Sequence, residues 1–104
     1  MNNYVELSGV AAGDWEAIVD KIIKNKKVKK IILFGSRAKG NYKKGSDIDI
    51  AIIADRLSYE ELNQIRVDVS ELMLPFKIDI IDFNKINNSE LREHIQRVGK
   101  VLFG

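Results

Sequence analysis

Residues 34–52 read Phe-Gly-Ser-Arg-Ala-Lys-Gly-Asn-Tyr-Lys-Lys-Gly-Ser-Asp-Ile-Asp-Ile-Ala-Ile. Val28 to Phe34 leads in: it is β-branched and apolar toward its end and stops at Gly35, the pattern of a buried strand. Ser36 to Gly45 holds two glycines and several lysines, which makes a turn with room for a short helical piece. Asp47 to Ala54 then alternates. Ile48, Ile50 and Ile52 share one face of a strand, and Asp47, Asp49 and Ala51 share the other.

The flanks supply helices and one more strand. Asp14 is placed to cap a helix whose Trp15, Ile18, Val19, Ile22 and Ile23 form one apolar stripe at helical spacing. Residues 1–12 lack periodicity and read as a loose lead-in. Ser58 and Glu61 spell a capping box, which opens a helix carrying Leu62, Ile65, Val69 and Leu72 and ending before Pro75. Phe76 to Phe83 is a third strand, with Lys77, Asp79 and Ile81 on one face and Ile78 and Ile80 on the other. Asn87 or Asn88 caps a last helix with the stripe Leu91, Ile95, Val98 and Leu102. The expected fold is α/β (α+β): one small sheet with helices packed on it, in one domain spanning residues 1–104.

Composition narrows the chemistry. The chain has no cysteine and a single histidine, His94, so disulfides, thiolate chemistry and multi-histidine metal cages are excluded. No apolar run approaches the ~20 residues of a membrane span and no signal peptide opens the chain, so a cytoplasmic protein without membrane partners is expected. The net charge of +2 hides an asymmetry: residues 21–46 carry nine lysines and one arginine with no acid, and the remainder carries seven bases against fifteen acids. A basic stretch followed at once by Asp47 and Asp49 suits an anion held together with a cation. For Lys21 to Lys30 alone, a solvated helix end is the preferred reading.

Asp47 and Asp49, at i and i+2 on a strand, project from one face with Cα atoms ~7 Å apart. Carboxylates that close repel, and a divalent cation between them offsets the repulsion. Hard oxygen donors with no histidine or cysteine beside them favour Mg²⁺, with Mn²⁺ as a substitute. Gly35 and Ser36 offer a seat for phosphates, since glycine lets backbone N–H groups approach an anion and the serine hydroxyl adds a donor. Arg37, Lys39, Lys43 and Lys44 bring positive charge, although each of these also reads as a solvated loop cation. Asp79 is framed by isoleucines as Asp49 is. Should the two strands pair with these faces aligned, three carboxylates converge and can hold two ions about 4 Å apart. Asp79 would then activate an attacking hydroxyl through the metal or as its general base. His94 at the margin of its stripe, Asp82 in a turn or cap, and Tyr42 on the surface of its loop are given structural roles.

Gly35-Ser36, then Ser46-Asp47-Ile48-Asp49, then Asp79 on a later strand resembles the nucleotidyltransferase superfamily of DNA polymerase β. Within it the chain looks like the minimal nucleotidyltransferases, the antitoxin-type partners of HEPN-domain proteins. The likeness runs from about Ile31 into the final helix and includes Leu74 to Asp82 and Val98 to Phe103. It implies a palm-like mixed sheet, Asp47 and Asp49 as ligands of two Mg²⁺ ions, and Asp79 completing the catalytic one. It also implies Gly35 and Ser36 on the triphosphate of ATP or another nucleoside triphosphate, with Arg37 beside them. The implied reaction moves an NMP, AMP from ATP, onto a hydroxyl.

Only residues 80–104 follow Asp79, which is room for a turn and one helix. The acceptor is therefore expected to come from another protein, and by resemblance it is a tyrosine of a HEPN toxin. Two other classes stay open: a binding module that neutralises its partner by contact alone, and a homodimeric enzyme modifying a small molecule as aminoglycoside nucleotidyltransferases do. Nucleic acid is not expected as the direct substrate, because the lysine-rich stretch has few aromatics for stacking.

Overall fold

The computed structural model describes residues 8–104. Four strands form one sheet in the order β3-β2-β1-β4. β1 (Val28–Phe34) and β2 (Ile48–Ala54) are antiparallel, β3 (Ile78–Asp82) is parallel to β2, and β4 (Lys100–Phe103) is antiparallel to β1. The sheet is therefore mixed. A parallel neighbour requires a crossover, and α3 (Tyr59–Ser70) provides it between β2 and β3.

The alternation in β2 splits the core. Ile48, Ile50 and Ile52, fully buried, face one side with Ile31, Leu33 and Ile80, where α1 (Ala12–Ile23) and α3 cover them through Trp15, Ile18, Ile22, Leu62, Ile65 and Val69. Ala51 faces the other side with Ile32, Phe34, Ile53 and Ile81, under Ile95 and Leu91 of α4 (Ser89–Val98). Asp49 belongs to this second face by the same alternation, so α4 packs on the face that carries the acid.

The capping box forms as read: Glu61 N–H donates to Ser58 Oγ at 3.1 Å and Ser58 N–H to Glu61 Oε1 at 3.2 Å. Lys27 Nζ and Asn25 Nδ2 also donate to the Glu61 carboxylate, at 2.7 and 3.1 Å, which ties the turn before β1 to the start of α3. Asn88 caps α4, its Oδ1 accepting from Glu90 and Leu91 N–H. Asp82 takes the cap role expected of it, accepting from Asn84 N–H at the 3₁₀ turn Phe83–Lys85.

Three expectations are corrected. The last helix ends at Val98, and Leu102 lies in β4. Gly99 leaves the helix with φ −61° and ψ 143°, and a Cβ there would collide with Ile95 O and Ile32 Cγ2. The β-branched and aromatic run that follows then pairs with the open edge of β1. Second, the N-cap of α1 is Ala11; Asp14 sits in the first turn, where its charge still favours the helix N-terminus. Third, the lead-in is not loose where it is described. Ser8 and Val10 are buried, and Trp15 Nε1 donates to Ser8 Oγ at 3.1 Å; residues 1–7 lie outside the described part. No helix among the described residues is long and apolar enough to cross a membrane.

Candidate active site

The site lies where β1 ends and β2 and β3 begin. Phe34, the last residue of β1, stands opposite Asp49, and Asp49 stands opposite Asp79 in the parallel β2–β3 register. Period-two alternation then puts both carboxylates on the α4 face. Asp47 comes one residue before β2 rather than on it.

Gly35 follows Phe34 with φ 76° and ψ −158°, a conformation open in practice only to glycine. Its hydrogen faces the Asp49 carboxylate: a Cβ built there would run into Asp49 Oδ2. The Gly35-Ser36 turn is thus laid directly against the acid. One turn of helix, α2 (Ser36–Lys39), follows and is closed by Gly40 with φ 81°.

Burial pushes the Asp49 carboxyl above the usual carboxylate range, and the charges of Asp79 and then Asp47 push it the same way. His94 and Lys77 pull in the opposite direction. The His94 and Phe34 rings stand nearly perpendicular, with centroids 6.3 Å apart. The structural reading of His94 is therefore incomplete, because its charge also bears on Asp49. The signal in the sequence was its place one turn beyond Leu91, on a helix that covers the acid face. Lys77 shares a face with Asp79 two residues on, a spacing visible in the sequence and left unused.

The acids open into a cleft of about 480 Å³ whose lining includes Phe34, Asp49, Asp79, Ile81 and Leu91. Arg66 closes one wall, donating from Nε and Nη2 to Ile80 O at 3.1 and 2.8 Å. The donor set fits a hard divalent cation. Carboxylates are gathered where burial and mutual repulsion both disfavour their charge, which is the environment a cation relieves. Among the described residues, no three or more His, Cys, Asp or Glu side chains form a group that could hold a metal ion, so Asp49 and Asp79 meet as a pair and the expected convergence of three carboxylates with Asp47 is not formed.

Arg37, the nucleotide-binding candidate beside Ser36, is not among the residues that line this cleft. It is 3% exposed, and its guanidinium donates to Ser46 O from Nε (3.2 Å) and Nη2 (3.0 Å) and to Ser8 O from Nη1 (2.7 Å). The rings of Tyr42 and Phe76 lie 4.7 and 4.9 Å from its central carbon. Tyr42 is consequently half-buried, packed on this arginine and against Gly9. Lys39, Lys43 and Lys44 are exposed.

The family described as polymerase beta, nucleotidyltransferase matches residues 16–104, most of the chain and all of the sheet. This chain belongs to that family. A Methanocaldococcus jannaschii relative named as a protein adenylyltransferase is 37% identical over 79 residues, covering 73% of this chain and 79% of that protein. A solved toxin–antitoxin structure with AMP-PNP superposes with a TM-score of 0.69 at 27% identity, over 86% of this chain and 73% of the other. A second, tri-AMPylated Shewanella oneidensis HEPN toxin in complex with MNT antitoxin, gives 0.68 at 25% identity, over 88% and 70%. The mixed sheet with helices on both faces is thus the nucleotidyltransferase core, and the acids and the Gly35-Ser36 turn lie within the matched residues.

Proposed function

We propose that this nucleotidyltransferase moves AMP from ATP onto a tyrosine hydroxyl of a HEPN-domain toxin and silences it, acting as the antitoxin of a two-component module. The observation that carries this reading is the register that sets Asp49 opposite Asp79 while Gly35 abuts the Asp49 carboxylate. Acids and an anion-accepting turn in direct contact suit a metal-bound triphosphate better than either a bare anion or a bare cation. The named adenylyltransferase relative and the toxin–antitoxin neighbours support the choice of AMP and of a HEPN partner.

Gly35 and Ser36 would orient the triphosphate through backbone N–H groups and the Ser36 hydroxyl. Asp47, Asp49 and Asp79 would hold Mg²⁺, which when bound offsets negative charge on the phosphates and on the attacking oxygen. The acceptor oxygen forms a bond to the α-phosphorus as the bond to the bridging oxygen breaks. Pyrophosphate leaves and the hydroxyl proton passes to a carboxylate oxygen of Asp79. Phe34, Leu91 and Ile81 give the cleft apolar walls that suit the ring of a tyrosine better than a polar sugar.

Mass spectrometry of a co-expressed HEPN partner tests this. A gain of AMP on tyrosine that is lost with Asp49→Asn is expected. An unmodified but still neutralised partner would replace catalysis with steric binding.

A further inference from the structure

Resting on the proposed reading of the site, we infer that Arg37 is a positioning residue that locks the Gly35-Ser36 turn to Asp47 and does not contact the nucleotide. The connection is short in sequence and direct in space. Arg37 is the residue after Ser36, and the carbonyl it grips with two N–H groups belongs to Ser46, the residue before Asp47. One guanidinium therefore ties the phosphate turn to the first carboxylate of the acid pair.

The far side of that carbonyl is also fixed. Ser46 N–H donates to Lys43 O at 2.9 Å and Ser46 Oγ accepts from Lys43 N–H at 2.9 Å, so residues 43–46 form a closed turn. Asp47 precedes the β2 ladder, which holds it from one side only, where the next residue's Ile48 N–H donates to Lys77 O at 2.9 Å; no strand pairing fixes it on the Ser46 side. The Arg37 grip supplies what the ladder does not. A third N–H group reaches Ser8 O, and the Tyr42 and Phe76 rings both pack against the guanidinium, which holds it among these partners. None of the ion pairs among the described residues involves Arg37. A buried cation whose hydrogen bonds all go to backbone carbonyls is an expensive way to fill a core, and planar, forked donors are the property lysine lacks.

The test compares wild type with Arg37→Lys by three readouts: ATP affinity without metal, kcat and KM for pyrophosphate release with Mg²⁺ and a HEPN partner, and amide exchange at Ser46 in the metal-free protein. Positioning predicts a tenfold or greater fall in kcat, KM and metal-free ATP affinity within about twofold, and at least tenfold faster exchange at Ser46. A fall in ATP affinity with kcat preserved would assign Arg37 to the phosphates and overturn the inference. Unchanged values throughout would overturn it too. Should Arg37→Lys fail to fold, Tyr42→Leu removes one of the two rings packed on the guanidinium and keeps the guanidinium itself; the same split, smaller, is expected, and an unchanged kcat refutes it. Wild-type protein that neither binds ATP with Mg²⁺ nor releases pyrophosphate would sink the reading of the site itself, and the inference with it. A working wild type beside an indifferent variant would sink the inference alone.

Discussion

Asp49 and Asp79 are opposite residues of the parallel β2–β3 ladder, so neither carboxylate can leave the α4 face unless a strand slips its register. Such a slip would turn Ile48, Ile50 and Ile52, all fully buried, out of the core. The hydrophobic pattern thus holds two like charges together against their repulsion. The energy that folds the sheet also assembles the acids.

Replacing Asp47 or Asp49 by asparagine keeps size and hydrogen bonding but removes the charge. Nucleotidyl transfer should fall at least roughly a hundredfold in each variant, with unchanged circular dichroism. Residual wild-type-like transfer by the double variant would remove these residues from the mechanism.

The same change should stabilise the metal-free protein. A carboxyl raised in the folded state keeps its proton more tightly there than in the unfolded chain, so ionising it as pH rises opposes folding. Above the range in which it titrates, Asp49→Asn lacks that opposition. Without divalent ions its melting temperature at pH 7 should exceed that of wild type by a few degrees, the effect being moderated by solvent. A lower melting temperature would show that the carboxylate has a stabilising partner.

Gly35→Ala tests the contact between the turn and the acid. Its backbone conformation costs a residue with a side chain about 1–3 kcal/mol, and the new methyl would strike Asp49 Oδ2. Urea denaturation should show a loss of that size, and transfer should drop to the level of the Asp49 variants. Full activity would mean that the turn can move away from Asp49 at no cost to catalysis.

Glu61 supplies a pH signature remote from the site. Lys27, Asn25 and Ser58 hold its carboxyl down at about 2, from an ordinary value of 4.5. A lowered folded value means that this stabilisation is complete above about 4.5 and is lost as pH falls toward 2. In acid titrations Glu61→Gln should therefore show a shallower loss of stability across that window than wild type. Ser58→Ala should cost about 1 kcal/mol near neutrality, by removing the cap itself. Parallel acid-unfolding curves for wild type and Glu61→Gln would refute the ion pair's role.

Much of this was legible in the sequence because it follows from short-range rules. The alternation in β2 set the Asp49 face, the Ser58–Glu61 spacing set the start of α3, and the isoleucines around Asp79 marked a strand of matching phase. β4 was missed because Lys100 to Phe103 continues a helical stripe arithmetically, and only the backbone approach of Gly99 to Ile32 shows why the helix stops. The partners of Arg37 were not legible for a related reason. Its neighbours in sequence are a phosphate-type turn, but its partners, Ser8, Ser46 and Phe76, are brought together only by tertiary folding. His94 falls in the same class, since its place by Phe34 depends on which sheet face α4 covers.

In the proposed function, the acids and the Gly35-Ser36 turn transfer a nucleotide to a protein. The most direct measurement incubates the purified chain with α-labelled ATP and Mg²⁺, with and without a HEPN-domain protein, and resolves the products on a denaturing gel. Label on the HEPN protein that depends on Mg²⁺ and vanishes with Asp47→Asn is the predicted result. Metal-dependent ATP binding with no label on any protein would contradict it.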